Sequence, residues 1–180
     1  MQLFDLHCDT LYECFETGQG LRRNTLCIDR DKTAGYDMYT QVFALFCGAR
    51  SPAPVSGRRS LLDLPPEERL GALLETAQRE FSANADWLML CRDMDDWAWA
   101  KDHGRRAAFL WIEGGELLDY PGGLEQAYDA GVRLVTLAWN GQNAFACGAA
   151  TDNDAGLTDR GRALVRELVR RNMVVDVSHL

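Results

Sequence analysis

Ala107-Ala108-Phe109-Leu110-Trp111-Ile112-Glu113-Gly114-Gly115 is an apolar run that stops on a carboxylate and two glycines. A short run of this kind reads as a strand buried on both faces, as the strands of parallel sheets are. Two other runs share its form. Leu3-Phe4-Asp5-Leu6 leads into His7-Cys8-Asp9, and Met173-Val174-Val175-Asp176-Val177-Ser178 leads into His179. Each ends on residues that bind metals. Parallel α/β folds carry their chemistry at the C-terminal ends of strands, most clearly in the (β/α) barrel. Two imidazoles and two carboxylates at such ends make a hydrolytic metal centre the leading expectation.

The sequence around these runs alternates strand and helix signals. A short helix is expected near residues 10–16 and a strand at 41–47. The Pro65-Pro66-Glu67-Glu68 stretch opens a helix through about residue 84, since proline suits a first turn and acids suit the helix dipole. Leu70, Leu73, Leu74, Ala77 and Phe81 give it one apolar face. Residues 87–90 are ambiguous between strand and helix end. Helices follow at 93–102 and 123–130, with a strand at 132–138. Thr158 is the expected cap of a helix through residue 171, with Leu164, Val165, Leu168 and Val169 turned inward. The loop at 48–59, with Pro52, Pro54 and Gly57, is the candidate mobile segment. This pattern indicates an α/β fold with a parallel sheet. It supplies about five barrel-type strands, whereas a closed barrel needs eight strands and about 250 residues. Residues 1–180 are therefore read as one metallo-hydrolase domain, the N-terminal part of a TIM-like (β/α) barrel truncated after about five strands.

Composition narrows the functional classes. The chain has 180 residues, 47% hydrophobic and 26% charged, which suits a globular protein with a real core. Its net charge of -8 and pI near 4.9 argue against a broad nucleic-acid surface and against an anionic-membrane binder. No apolar stretch is long enough to span a bilayer. A strand begins at residue 3 with no basic segment before it, so no secretory signal is expected. The six cysteines are scattered with no C-x-x-C pair, as free thiols in a reducing cytoplasm would be. The expected location is cytoplasmic.

The candidate ligands follow from strand geometry. His7 and Asp9 at i and i+2 face one side of a strand, with Cys8 on the other, and can reach one metal ion. Glu113 ends a buried run with no arginine or lysine beside it in sequence. A carboxylate there is costly to bury alone, and one that bridges two metals would join the two histidine sites. The bland alternative is a side chain turned to solvent. His179 is the second imidazole at a strand end. His103 lies in a polar segment and reads as a helix C-cap neighbour. Asp176 is expected to be a structural partner of a buried donor, and Asp5 the same or an outer partner of the metal site. Trp139 and Asn140 follow another strand and suit substrate binding; a loop whose amides bond their own backbone fits them equally.

At these residues the chain resembles the membrane (renal) dipeptidase family, the M19 metallopeptidases. The likeness lies in D-x-H-x-D-T at 5–10, I-E-G-G at 112–115, T-L-x-W-N at 136–140, and G-L-T-x-x-G followed by V-D-x-S-H between 156 and 179. The resemblance implies a TIM-like barrel with two zinc ions: His7 and Asp9 on the first, Glu113 bridging both as the catalytic carboxylate, and His179 on the second. It also implies attack of a metal-bridging hydroxide on the peptide carbonyl of a dipeptide. This family often accepts D-residues at the C-terminal position. Family members are often dimers, which makes a homodimer one expected form.

The chain departs from the family pattern in two respects. The family's second histidine on the second metal, its substrate-carboxylate arginine and its late aspartate would all follow His179. Trp139 also stands where some members carry a substrate-contacting histidine. The expected function is a zinc dipeptidase, with the isolated 180-residue chain inactive or nearly so. The alternatives are another binuclear amidohydrolase, which the glutamate bridge disfavours, and a non-catalytic fragment with an open sheet edge.

Overall fold

The computed structural model describes residues 1–48, 57–152 and 155–180. Most of the expected mobile loop, residues 49–56, lies outside them. Among the described residues are six parallel strands: β1 Gln2–Cys8, β2 Met38–Phe46, β3 Leu88–Leu90, β4 Arg106–Glu113, β5 Val132–Thr136 and β6 Val174–Asp176. Helices α1 Thr10–Thr17, α2 Pro66–Ala83, α3 Met94–Asp102, α4 Gly123–Asp129 and α5 Asp159–Arg170 connect them.

The sheet runs β1-β2-β4-β5-β6. β2 pairs with β4 along its length, from Thr40 beside Ala107 to Phe46 beside Glu113. The other edge of β4 is shared: β3 takes its first residues, and β5 takes those from Leu110 onward. The ambiguous residues 87–90 are thus a short strand. The architecture is one curled half of a TIM-like barrel.

The outer face of the sheet makes the core. Phe43, Leu45, Leu110 and Ile112 are fully buried there, alongside Leu11 of α1, Leu70 and Leu73 of α2 and Leu168 of α5. All five apolar residues expected on α2 are buried. Asp93 caps α3 by accepting from the Asp96 amide, and Thr158 caps α5 by accepting from Gly161. One expectation fails on α5. Leu164 and Leu168 are buried, but Val169 is exposed. The helix rests on the sheet along a narrow i, i+4 stripe, and Val169 lies about 100° round from Leu168.

The concave face is different. Phe4, Val42, Phe109, Leu134 and Val174, one from each of five strands, line a cavity of about 620 Å3. Continuing up the strands by two or four residues gives Trp111, Glu113 and Asp176, at the end where barrel chemistry sits. Among the described residues, no helix is long and apolar enough to cross a membrane.

Candidate metal centre

β1 reaches the site irregularly. Asp5 pairs with Gln41 but Cys8 pairs with Phe43, so β1 carries an extra residue between them. This bulge breaks the two-residue alternation. Leu6 and His7, neighbours in sequence, both line one cavity of about 280 Å3. Cys8 turns into the core, where burial pushes its thiol up to about 12 and keeps it protonated. Asp5 accepts the His7 backbone N–H at 3.2 Å and so holds the bulge. That donor is exposed, unlike the buried one expected for Asp5.

Asp9 stands beyond the strand as the N-cap residue of α1. An N-cap aspartate ordinarily accepts a backbone N–H from the first turn. Asp9 makes no such bond. Its Oδ2 is 3.4 Å from His7 Nε2, and its Oδ1 is buried with no hydrogen-bond partner. A buried carboxylate oxygen with no donor, beside an imidazole, is suited to a cation.

Glu113 closes β4 between β2 and β5, paired to Phe46 and Thr136. It is 3% exposed. Its two oxygens face different histidines: Oε2 lies 4.0 Å from His7 Nδ1, and Oε1 lies 3.1 Å from His179 Nε2. Gly114 follows with φ of 101°, a conformation that suits glycine and turns the chain away from the site. Ligand atoms of His7, Asp9 and Glu113 all lie within 4.8 Å of one another. His179 meets the other oxygen of Glu113. Two imidazoles and two carboxylates, one oxygen of them orphaned, fit a divalent metal with nitrogen and oxygen preferences.

A hydrogen-bonded chain braces this cluster. The Trp111 Nε1–H donates to Thr136 Oγ1 at 2.8 Å, and the Thr136 hydroxyl donates to Asp176 Oδ2 at 2.6 Å. Thr136 is fully buried, so Asp176 is the expected partner of a buried donor. Trp111 meets the His7 ring edge-on, with centroids 5.0 Å apart. Sequence reasoning missed Trp111 and Thr136, because their roles depend on partners tens of residues away. Trp139 lies beside the site, its ring 4.9 Å from Phe46 and 6.1 Å from His179. Asn140 touches His179 directly, its Oδ1 3.0 Å from Nδ1. His103 is the C-cap of α3 and stacks on Trp99, away from the cluster.

The charges oppose one another in the metal-free site. The Asp9 carboxylate bonded to His7 holds its imidazole above the usual 6.5, against the effect of burial. Burial raises the Glu113 carboxyl above its usual 4.5, with the histidines pulling the other way. Stability from a raised histidine is full below about pH 6.5 and is lost as pH rises through the higher value. A raised carboxyl likewise binds its proton more tightly when folded, so it too loses stability on deprotonation. Both groups act in one direction. The urea midpoint of metal-free protein should therefore fall between about pH 5 and pH 8, and Glu113→Gln should flatten the fall. A divalent cation should reverse the slope, since it replaces the protons it competes with. A metal-free midpoint that rises steadily with pH would contradict this account of the cluster.

The sequence profile of the membrane dipeptidase family (peptidase family M19) matches residues 1–180. An uncharacterized dipeptidase of Schizosaccharomyces pombe is 44% identical over 77 residues, which cover 41% of this chain and 19% of that protein. An Acinetobacter calcoaceticus protein from the PQQ-III 3' region is 29% identical over 100 residues, 52% of this chain and 32% of that protein. Among solved structures, a Rhodobacter sphaeroides metallo peptidase liganded with a phosphinate mimic of the dipeptide L-Ala-D-Ala superposes with a TM-score of 0.77. It is 22% identical, and the match covers 100% of this chain and 59% of that one. A Pseudomonas aeruginosa amidohydrolase superposes with a TM-score of 0.62 at 17% identity, over 98% of this chain and 44% of that one. The matches thus span less than two thirds of each of these relatives, and at such identities the structural likenesses establish the fold. With the profile matched from first residue to last, the chain belongs to the membrane dipeptidase family, peptidase family M19.

Proposed function

We propose that this chain carries the greater part of a two-zinc dipeptidase site. His7 and Asp9 would hold the first metal, His179 the second, and Glu113 would serve both. One observation carries the reading: the two oxygens of a single buried carboxylate face two different histidines. A buried carboxylate whose two oxygens each meet an imidazole, with no arginine, lysine or backbone donor on either among the described residues, is placed to serve two metal positions. The orphaned Asp9 Oδ1 supports a cation at the first position. Imidazole nitrogens with carboxylate oxygens are a donor set that suits zinc among other divalent metals.

When bound, the metal pair supplies an activated water and polarises a carbonyl. The chain's own part is to orient and exclude. Glu113, fixed at the end of a central strand, sets the spacing of the two positions. Trp111 and Leu134 wall the cavity and limit water, and Trp139 offers an aromatic face beside His179 for a substrate side chain. A cavity of about 280 Å3 suits a substrate as small as a dipeptide. The phosphinate dipeptide mimic on the Rhodobacter relative supports the same substrate class.

Only Glu113 and His179 serve the second position among the described residues. Zinc there should bind more weakly than at the first, and the 180-residue chain alone should turn over dipeptides poorly or not at all. The test is zinc titration of the purified chain, followed by assay of L,L- and L,D-dipeptides against cyclic amides and lactones. Tight-then-weak binding with hydrolysis confined to dipeptides, however slow, supports the reading. Preference for cyclic amides, or no zinc bound at all, would overturn it.

A further inference from the structure

His179 has no strand to hold it. β6 ends at Asp176, and His179 follows in the left-handed region at a φ of 69°. The loop after β5 fixes it instead. The Ala149 N–H donates to the His179 carbonyl at 2.7 Å, and the next amide, Ala150 N–H, donates to the Asn140 carbonyl at 2.9 Å. Gly148 lies so close to Asn140 that a Cβ there would stand 2.5 Å from its carbonyl carbon. Consecutive amides of one loop therefore tie both residues, and their side chains meet. His179 Nδ1 is 3.0 Å from Asn140 Oδ1, while Nε2, across the ring, faces Glu113 Oε1 at 3.1 Å.

We propose that Asn140 is a positioning residue for His179: its amide oxygen accepts the Nδ1–H, so that Nε2 is the nitrogen presented to a metal beside Glu113. This rests on the reading of His179 as a ligand in the proposed function. An imidazole has two nitrogens, and the hydrogen bond at one decides which is given to a metal. Metal-binding histidines commonly donate the spare N–H to a carboxylate, a carbonyl or water. Here an amide oxygen on the neighbouring loop fills that place. The Asn140 backbone, at a φ of 47°, is a conformation asparagine tolerates better than most residues. Asn140 thus stands behind His179, and the cavity wall is formed by other residues.

The test compares Asn140→Gly and Asn140→Asp in the purified chain. Glycine suits the left-handed φ and removes the acceptor; aspartate keeps an acceptor in place. Nitrogen-15 labelling of the three histidines resolves their ring protons by NMR. The metal-free parent should show a slowly exchanging His179 Nδ1–H, lost in Asn140→Gly and regained in Asn140→Asp. The weaker of the two zinc affinities, measured with zinc alone against a chelating indicator, should fall roughly 10- to 100-fold in the glycine variant and recover in the aspartate variant. An Nδ1–H that survives in Asn140→Gly, or an aspartate variant that restores neither signal nor affinity, overturns the proposal. If the parent binds no second zinc, the ligand reading of His179 fails, and the ring proton still decides whether Asn140 holds the imidazole.

Discussion

Glu113→Gln should abolish paired metal binding while leaving the fold intact. Glutamine matches glutamate in shape, removes the charge and exchanges one acceptor oxygen for an amide donor. At 3% exposure the carboxylate has little water to solvate it, and burial already raises its proton affinity. Without metal, the charge is therefore a cost to the folded state, and the neutral amide should melt at the same temperature or higher. With metal the sign reverses, because both oxygens face histidines that would each share an ion with them. Zinc affinity should fall by more than about 100-fold, beyond what loss of an outer partner costs. Any dipeptide hydrolysis that the proposed site supports should fall by roughly 1,000-fold or more, the scale on which charge stabilisation at a reacting centre acts. The separation of the two effects is the test. A glutamate that merely supports the strand end would give the opposite pair, a lower melting temperature with zinc affinity unmoved. Calorimetric melting of metal-free protein beside zinc titration reads both.

The strand ends carrying Glu113 and His7 are legible because a buried strand leaves a continuous apolar run, and the run stops where the polar residue begins. The α2 face is legible for a similar reason: five residues at helical spacing need only local periodicity to be seen. Asp9 is reached by a less regular route than an i, i+2 rule suggests. The bulge between Asp5 and Cys8 shifts the phase of β1, and Asp9 stands on the first step of α1. The i, i+2 strand geometry expected for His7 and Asp9 is therefore not the one observed, although the two side chains do lie together at the strand-to-helix turn. The brace from Trp111 through Thr136 to Asp176 leaves no local mark, since it joins three strands whose order in the sheet no single stretch encodes. Asn140 is half legible: an amide after a strand marks a functional loop, but its partner lies 39 residues on. Val169 fails for a plainer reason. A pattern of four apolar residues implies a wide buried face, whereas α5 meets the sheet on a narrow one.

Gly161→Ala should be the most destabilising small substitution in the support of this site. Gly161 is the second glycine of the G-L-T-x-x-G segment, and it lies in the first turn of α5, where its amide donates to the Thr158 cap at 3.0 Å. Its role is space. An added Cβ would overlap the Phe145 carbonyl oxygen and lie 2.9 Å from the carbonyl carbon. Both are backbone atoms, so no side-chain rotation relieves the clash. That carbonyl is also the acceptor for the Thr158 N–H at 3.0 Å, which pins the start of α5 to the loop after β5. One methyl group therefore forces apart the helix and the loop that carries Asn140 and the amides holding His179. Overpacking against backbone should cost about 2–4 kcal/mol, or roughly 5–15 °C in melting temperature for a chain of this size. Gly35→Ala is the control, because a Cβ there meets nothing within 4 Å, and it should change stability by no more than about 0.5 kcal/mol. A Gly161→Ala protein that melts with the control would mean that α5 can slide without loss, and that the loop behind His179 is held by something other than this contact. Melting well below the control, with zinc binding at the second position weakened more than at the first, would mean that the glycine secures the loop that positions His179.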